Sequence, residues 1–280
     1  MKTIAITGAS GLIGTRILEI LGIQYIFIPI PQGEVDITDK TTIEKFLEGK
    51  HFDYLLHLAA YTNVDGAEKD RKLCEDINVL GTQNIFDVCK AKRAKFIHIS
   101  TDFVFDGRKI DDKVPSFDEY TTPNPVSFYG KTKYDAEKIV EKDAMIIRLS
   151  YPYRKDFEIK KDFVRTIKSL LESGKEVKMI DDSLITPTYI DDLANALGFL
   201  IENYSKEVFH LVGSDSMSPY EAGIRIAKHY KLDDKLIKPV SYDEYFKNKA
   251  QRPQYAKIVV TKNIGLKMKT LEEGLKDMDS

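Results

Sequence analysis

Tryptophan is absent from this 280-residue chain, and cysteine nearly so, with only Cys74 and Cys89. Both cysteines fall in one probable helix without metal-ligand spacing, and they read as reduced, structural thiols. An excess of charge is missing too. The formal net charge of −2 argues against nucleic acid or an anionic membrane as the main partner. No uninterrupted apolar run reaches membrane-spanning length, and no signal peptide precedes the first strand, so the expected protein is soluble and cytoplasmic. Neither an internal repeat nor a low-complexity linker occurs. The lack of tryptophan beside 31% charged residues is compatible with a heat-adapted source, which composition alone does not establish.

What is present is a hydrophobic content of 42%, ample for one large domain or a core domain with a small lobe. Strands and helices alternate. An apolar strand over 3–7 enters Gly8-Ala9-Ser10-Gly11-Leu12-Ile13-Gly14, and Ile13, Ile17, Leu18, Ile20 and Leu21 then lie on one helical stripe. Strand, glycine turn, helix is the context of a dinucleotide site. Gly8 permits the tight turn, Gly11 lets backbone approach a pyrophosphate, Gly14 lets helix pack on strand, and the helix N-terminus offers free N–H groups. A strand over 25–30 follows, then a helix over 41–50 capped by Asp39, a strand over 54–59 and a long helix over 73–92. Further strands are expected over 95–100 and 145–149, flanking a helix over 126–142. The alternation predicts an α/β fold built on a doubly wound parallel sheet, Rossmann-like, with residues 1–150 as the dinucleotide-binding core.

Past residue 150 the pattern loosens. Helices are expected over 161–173 and 218–230 and strands over 176–180 and 208–212. Residues 151–280 read mainly as a smaller, interleaved substrate lobe. A helix over 192–201, capped by Asp191, is expected to pack back on the sheet, so that about 185–203 returns to the core.

Tyr129 and Lys133 stand at i and i+4 of the helix over 126–142, and so on one face of it. A free tyrosine titrates near pH 10, and moving it toward neutrality takes roughly 4 kcal/mol of preferential phenolate stabilisation. A fixed lysine, helped by a cationic cofactor ring, is a plausible source. Ligands of open parallel sheets bind beyond the carboxyl ends of the strands. The third strand delivers Ala59, Ala60, Tyr61 and Thr62 there, and the fourth delivers Thr101 and Asp102. A Thr101 hydroxyl there is suited to donate to a carbonyl oxygen that becomes an alkoxide; strand-end bonding to nearby backbone is its structural alternative. The strand over 25–30 ends in Ile30-Pro31-Gln32-Gly33, which supplies neither the acid expected for NAD nor the base expected for NADP, so that choice stays open.

Several motifs in order resemble the extended short-chain dehydrogenases/reductases, and within them the dTDP-4-dehydrorhamnose reductase family. They are Gly8-Ala-Ser-Gly-Leu-Ile-Gly14, Asp36-Ile-Thr-Asp39, Ala59-Ala-Tyr-Thr-Asn-Val-Asp65, Ser100-Thr-Asp-Phe-Val-Phe-Asp-Gly107, the run from Pro125 to Lys133, and Arg148-Leu-Ser-Tyr-Pro-Tyr153. The resemblance covers roughly the first 155 residues and then thins to Thr186-Pro187-Thr188 and Arg252-Pro253. It implies Tyr129 as proton donor, Lys133 on the nicotinamide ribose and tuning Tyr129, and Thr101 on the substrate carbonyl. Gly8, Gly11, Leu12, Ile13 and Gly14 would cradle the pyrophosphate, Asp36 and Ile37 would meet the adenine side, and Ala59 to Thr62 the middle of an NADP or NAD molecule. Asp102 matches a substrate-binding position, and Tyr151 stands where family members usually carry Trp at the sugar-nucleotide pocket. The implied reaction is hydride transfer to C4 of a nucleotide-linked 4-keto-6-deoxy sugar. The implied partner is that substrate, with a homodimer as the assembly to test.

Phe103 follows Asp102 where the related dehydratases carry Glu, and the Ser-Thr-Asp strand end differs from the Ser-Ser type of epimerases, so reduction fits better. Another nucleotide-sugar reductase or epimerase is the nearer alternative. The distant one is a non-catalytic NAD(P)-binding subunit like the regulatory β-subunit of methionine adenosyltransferase. His57 and His98 read as core histidines. Asp111-Asp112 and Asp118-Glu119 read as a solvated acidic surface, with no metal site assigned. Arg252 is weighed equally as a grip on a pyrophosphate and as a surface salt bridge.

Overall fold

Six parallel strands, in the order β2 (Ile26–Ile30), β1 (Thr3–Thr7), β3 (Tyr54–His57), β4 (Lys95–Thr101), β5 (Ala144–Leu149) and β9 (Val208–His210), form the centre of the molecule. The computed structural model describes residues 1–279. In chain order the elements are β1 (Thr3–Thr7), α1 (Leu12–Leu21), β2 (Ile26–Ile30), α2 (Lys40–Leu47), β3 (Tyr54–His57), α3 (Val64–Lys69), α4 (Arg71–Glu75), a π turn (Asp76–Leu80), α5 (Gly81–Ala91), β4 (Lys95–Thr101), a 3₁₀ turn (Asp102–Val104), α6 (Phe128–Val140), β5 (Ala144–Leu149) and β6 (Pro152–Tyr153). They continue with α7 (Phe163–Glu172), β7 (Val177–Ile180), β8 (Thr188–Tyr189), α8 (Ile190–Glu202), β9 (Val208–His210), α9 (Pro219–His229), β10 (Ile237–Val240), α10 (Tyr242–Phe246) and α11 (Leu271–Asp279).

Strand alternation sorts the sheet's side chains into two layers. Ile4, Ile6, Leu56, Ile97, Met145 and Ile147 pack against Ile17 and Leu21 of α1 and Leu193, Leu197 and Ile201 of α8. Ala5, Leu55, Phe96 and Ile146 face the opposite way, onto Ile43 of α2, Ile85 and Val88 of α5 and Val140 of α6. The strand order reverses between β1 and β3, and the crevice there is the usual ligand position in such sheets. α7, α9 and α11 bury Ile167, Leu171, Ile226, Leu271 and Leu275 in a separate apolar cluster around Tyr153 and Tyr189, alongside the parallel pairs β7–β10 and β6–β8.

The five strands expected before residue 150 are all present, and Asp39 caps α2 by accepting from the Thr41 N–H. Three expectations need correction. The helix expected over 73–92 is broken by the π turn, which accompanies the inward turn of Asn78 described below. Asp191 does not cap α8. The helix starts two residues earlier than expected, at Ile190 with Tyr189 as its N-cap, and the Asp191 carboxylate instead pairs with the Arg16 guanidinium of α1. Glu119 is no solvated surface acid: it is buried, and its carboxylate accepts from the Thr261 N–H and hydroxyl. Beyond the returning helix, β9 also enters the sheet beside β5.

Candidate active site

The glycine turn between β1 and α1 has no space for side chains. Gly8 sits at φ +66°, and a Cβ there would lie 2.9 Å from the Ala59 nitrogen; a Cβ on Gly14 would lie 2.2 Å from the Gly8 carbonyl oxygen. β1, α1 and the end of β3 are therefore pressed together at the crevice. Gly11 is the N-cap of α1 and supplies no side-chain cap, so the first-turn N–H groups, including those of Leu12, Ile13 and Gly14, are left for an external acceptor. The cradle fits a dinucleotide pyrophosphate. Asp36 lies beyond β2, where its carboxylate accepts from the Thr38 N–H and hydroxyl at 2.8 Å. The Ile37 carbonyl accepts from the Asn84 amide of α5 at 3.0 Å.

Ala59, Ala60, Tyr61 and Thr62 leave β3 as a partly exposed loop, and its anchor is Asn78. That amide accepts from the Tyr61 N–H at 2.8 Å, donates to the Tyr61 carbonyl at 3.1 Å, and donates to the Thr132 hydroxyl of α6 at 3.0 Å. One side chain on the π turn thus ties the loop to the helix carrying Tyr129 and Lys133. π turns concentrate at such functional positions, and in the sequence Asn78 carried no sign of this role.

α6 starts at Ser127, whose hydroxyl accepts from the Gly130 N–H. A Cβ on Gly130 would lie 2.2 Å from the Phe103 carbonyl oxygen, so glycine lets α6 sit directly on the 3₁₀ turn after β4. Phe103 meets the Tyr129 ring edge-on at 5.5 Å. Tyr129 and Lys133 are both buried, as the i, i+4 spacing predicted for one face.

The electrostatics depart from expectation at two residues. Burial, and then the nearby Asp102 carboxylate, push the Tyr129 phenol above its ordinary range, against a smaller lowering influence from the Thr101 hydroxyl. Lys133 does not lower it. Its ammonium donates instead to the Ile99 carbonyl at 2.8 Å and faces His98 Nε2 at 3.4 Å, and burial depresses it to about 8. The Thr101 hydroxyl donates to Asp102 at 2.9 Å and accepts from the Phe103 N–H at 3.3 Å, the strand-end backbone bonding weighed above as its structural alternative. Ser150 donates to the other Asp102 oxygen at 2.7 Å. Burial raises the Asp102 carboxyl to about 6, with both hydroxyl bonds opposing. Ser150 joins the site without having been singled out from sequence; its place in the Arg148-to-Tyr153 motif was the available signal.

Tyr151 takes φ +41°, a left-handed conformation uncommon for a bulky residue, and its ring meets Phe163 at 5.5 Å. Burial raises its phenol, and the charges acting on it include Asp102 and Arg252, with Tyr245 and Tyr242 also contributing. Arg252 is held by Asp65 through two 3.0 Å bonds, and its guanidinium lies over the Phe246 ring. Arg252 is thus ion-paired in this structure, and the pair joins α3 to the C-terminal lobe. His57 and His98 are core residues, stacked at 5.6 Å. Both cysteines are free and buried, and among the described residues no helix is long and apolar enough to cross a membrane.

Comparison with known proteins adds four observations. The family model described as RmlD substrate binding domain matches residues 1–279. The dTDP-4-dehydrorhamnose reductase of Bacillus anthracis str. Ames, solved in complex with NADP, superposes with a TM-score of 0.89 at 31% identity, covering 99% of this chain and 98% of that one. A probable low-salt glycan biosynthesis reductase of Haloferax volcanii is 28% identical across 98% of this chain and 96% of its own, and methionine adenosyltransferase 2 subunit beta of Mus musculus is 25% identical across 99% and 86%.

Proposed function

The chain belongs to the RmlD substrate-binding-domain family, and from that premise we propose that it is an NAD(P)H-dependent oxidoreductase reducing the keto group of a nucleotide-linked 4-keto-6-deoxy sugar, with dTDP-4-dehydrorhamnose as substrate and dTDP-rhamnose as product. The observation that carries this reading is the convergence of Tyr129, Lys133, Thr101 and Asp102 at the strand ends beside the glycine cradle. A reduced nicotinamide supplies the hydride when bound. The remaining work falls to this chain's own residues. Tyr129 donates the proton to the developing alkoxide, and its raised phenol suits a donor, because it stays protonated at neutral pH. Lys133 holds the nicotinamide ribose. Thr101 turns its hydroxyl from Asp102 to the substrate oxygen while Ser150 keeps its bond to the carboxylate. Tyr151 and Arg252 form the far wall, toward the nucleotide. Gly8, Gly11, Leu12, Ile13 and Gly14 take the pyrophosphate, Asp36 and Ile37 the adenine side, and the Ala59–Thr62 loop the middle of the cofactor.

In this reading residues 1–150 are the cofactor core, and the substrate lobe lies mainly in 151–280. The enzyme works in the cytoplasm, in keeping with its two free, buried thiols. Leu73 and Leu80, exposed along the α4–α5 rod, are the side chains a homodimer would cover.

A second reading rests on the match to methionine adenosyltransferase 2 subunit beta: a cofactor-binding regulatory subunit without turnover. One assay separates the two. Purified protein is mixed with NADH or NADPH and dTDP-4-dehydrorhamnose generated in situ, and cofactor absorbance is followed. Oxidation with dTDP-rhamnose formed supports the reductase and ranks the cofactors. Cofactor binding without oxidation, together with co-purification of a synthetase subunit, supports the regulatory reading.

A further inference from the structure

Beneath α6 the sheet carries buried polar side chains where apolar ones would be expected. Thr7, His57 and His98 occupy neighbouring positions on β1, β3 and β4, all on the face toward α5 and α6. The hydrogen bonds fix both ring tautomers. Thr7 Oγ1 already accepts from the Leu58 and Ala59 N–H groups, so its own proton goes to His57 Nδ1 at 2.8 Å. His57 Nε2–H then donates to Thr82 Oγ1 at 3.1 Å, and Thr82 donates onward to the Asn78 carbonyl. His98 follows a different logic. Its Nε2 faces the Lys133 ammonium at 3.4 Å, and an ammonium has only donors, so Nε2 is the acceptor and the ring proton sits on Nδ1. Nδ1 has no protein partner among the described residues.

We propose that His98 is a positioning residue for Lys133: an acceptor that, with the Ile99 carbonyl, takes two of the three ammonium protons and leaves the third for the cofactor ribose. The proposal rests on the reading of Lys133 as the ribose-binding residue. Two further features support it. Burial, the Lys133 charge and the stacked His57 keep His98 well below the ordinary imidazole range, so it remains an acceptor across the working pH. The ammonium is otherwise poorly compensated. Glu137 and Tyr129 on its own helix and Cys74 on α4 are the other titratable groups around it besides the two histidines, and the Glu137 carboxylate is taken up by Arg148 at 2.7 Å. A lysine already lowered to about 8 by burial is sensitive to the loss of one acceptor.

The test pairs His98→Leu, which removes the acceptor, with His98→Gln, whose amide oxygen restores one. NADH and NADPH affinities are measured by direct fluorescence titration across pH 6 to pH 9.5, beside thermal denaturation of each variant. In the leucine variant cofactor binding weakens about tenfold, the low end for a hydrogen bond to a charged group, and its alkaline limit moves down by about one pH unit. Glutamine recovers both to within about twofold. A folded leucine variant with unchanged affinity and pH profile, or a glutamine variant as impaired as leucine, overturns the proposal and leaves His98 a core spacer. Wild-type protein that binds cofactor with the expected His98 dependence yet turns over no keto sugar would overturn the reductase reading alone.

Discussion

Asp102→Asn should make the protein more stable at pH 8 and remove a specific component of its pH dependence. The carboxyl is 2% exposed and raised from 3.8 to about 6, chiefly by burial. The folded state therefore holds this proton more tightly than the unfolded chain does. Stability from that proton is fully present below about pH 4, declines as pH rises through about 6, and is gone above it. A difference of roughly two pH units at ~1.36 kcal/mol each is about 3 kcal/mol. Asparagine has the same shape and no charge, its carbonyl can accept from Ser150 and its amide can donate to the Thr101 oxygen, so the site stays satisfied. At about 2.1 cal/mol/K of unfolding entropy per residue, 3 kcal/mol corresponds to about 5 °C in Tm for a chain of this size. The assay is urea and thermal unfolding of both proteins from pH 4 to pH 8. The mutant's advantage should be near zero at pH 4 and grow to its full value by about pH 7. An advantage that does not change with pH, or a wild type more stable at pH 8, refutes the assignment of a desolvated, buried carboxylate.

Three further outcomes are expected. Tyr129→Phe should keep cofactor affinity and lose about 10²- to 10⁴-fold in kcat, the usual worth of a general acid; wild-type turnover in steady-state assays would remove Tyr129 from that role. Gly14→Ala puts a Cβ 2.2 Å from the Gly8 carbonyl oxygen, so cofactor titration should show binding weakened beyond tenfold or lost, whereas unchanged affinity would contradict the close packing of α1 on the loop. Glu137→Gln leaves Arg148, 4% exposed, without its carboxylate, and urea unfolding should show a loss of about 3–5 kcal/mol. A Glu137→Leu, Arg148→Met double variant should recover most of that loss, and failure to do so would assign the cost to packing rather than to an unpaired charge.

The core strands were legible because each is a short apolar run between glycine or helix signals, and parallel strands buried on both faces read that way. The shared buried face of Tyr129 and Lys133 was legible from their i, i+4 spacing, and the close packing of α1 on the turn from its glycines. Interactions between distant segments were not. Asn78 lies within the stretch read as one long helix, and its role depends on Tyr61 and Thr132, which the sequence does not bring near it. Asp191 reads as a cap by local rules, yet Arg16, 175 positions away, claims its carboxylate. Asp118-Glu119 shows the same limit: the two acids look alike in sequence, but only Glu119 is buried, by a partner more than a hundred residues downstream. The ordering of Tyr129 and Lys133 energies was also hidden, because it turns on where one ammonium points.

The sixth strand gives the molecule an order of assembly. β5 has β9 as its outer neighbour, paired from Ile146–Val208 to Arg148–His210, and α8 seals the layer over β1 and β3. A polypeptide emerging from the ribosome with its glycine turn and α6 already made still presents β5 as a bare edge, and such edges template pairing with other chains. The half of the chain that ends at β5 is thus finished by the half that follows it, and a fragment excised after β5 would be sticky rather than a smaller folded protein.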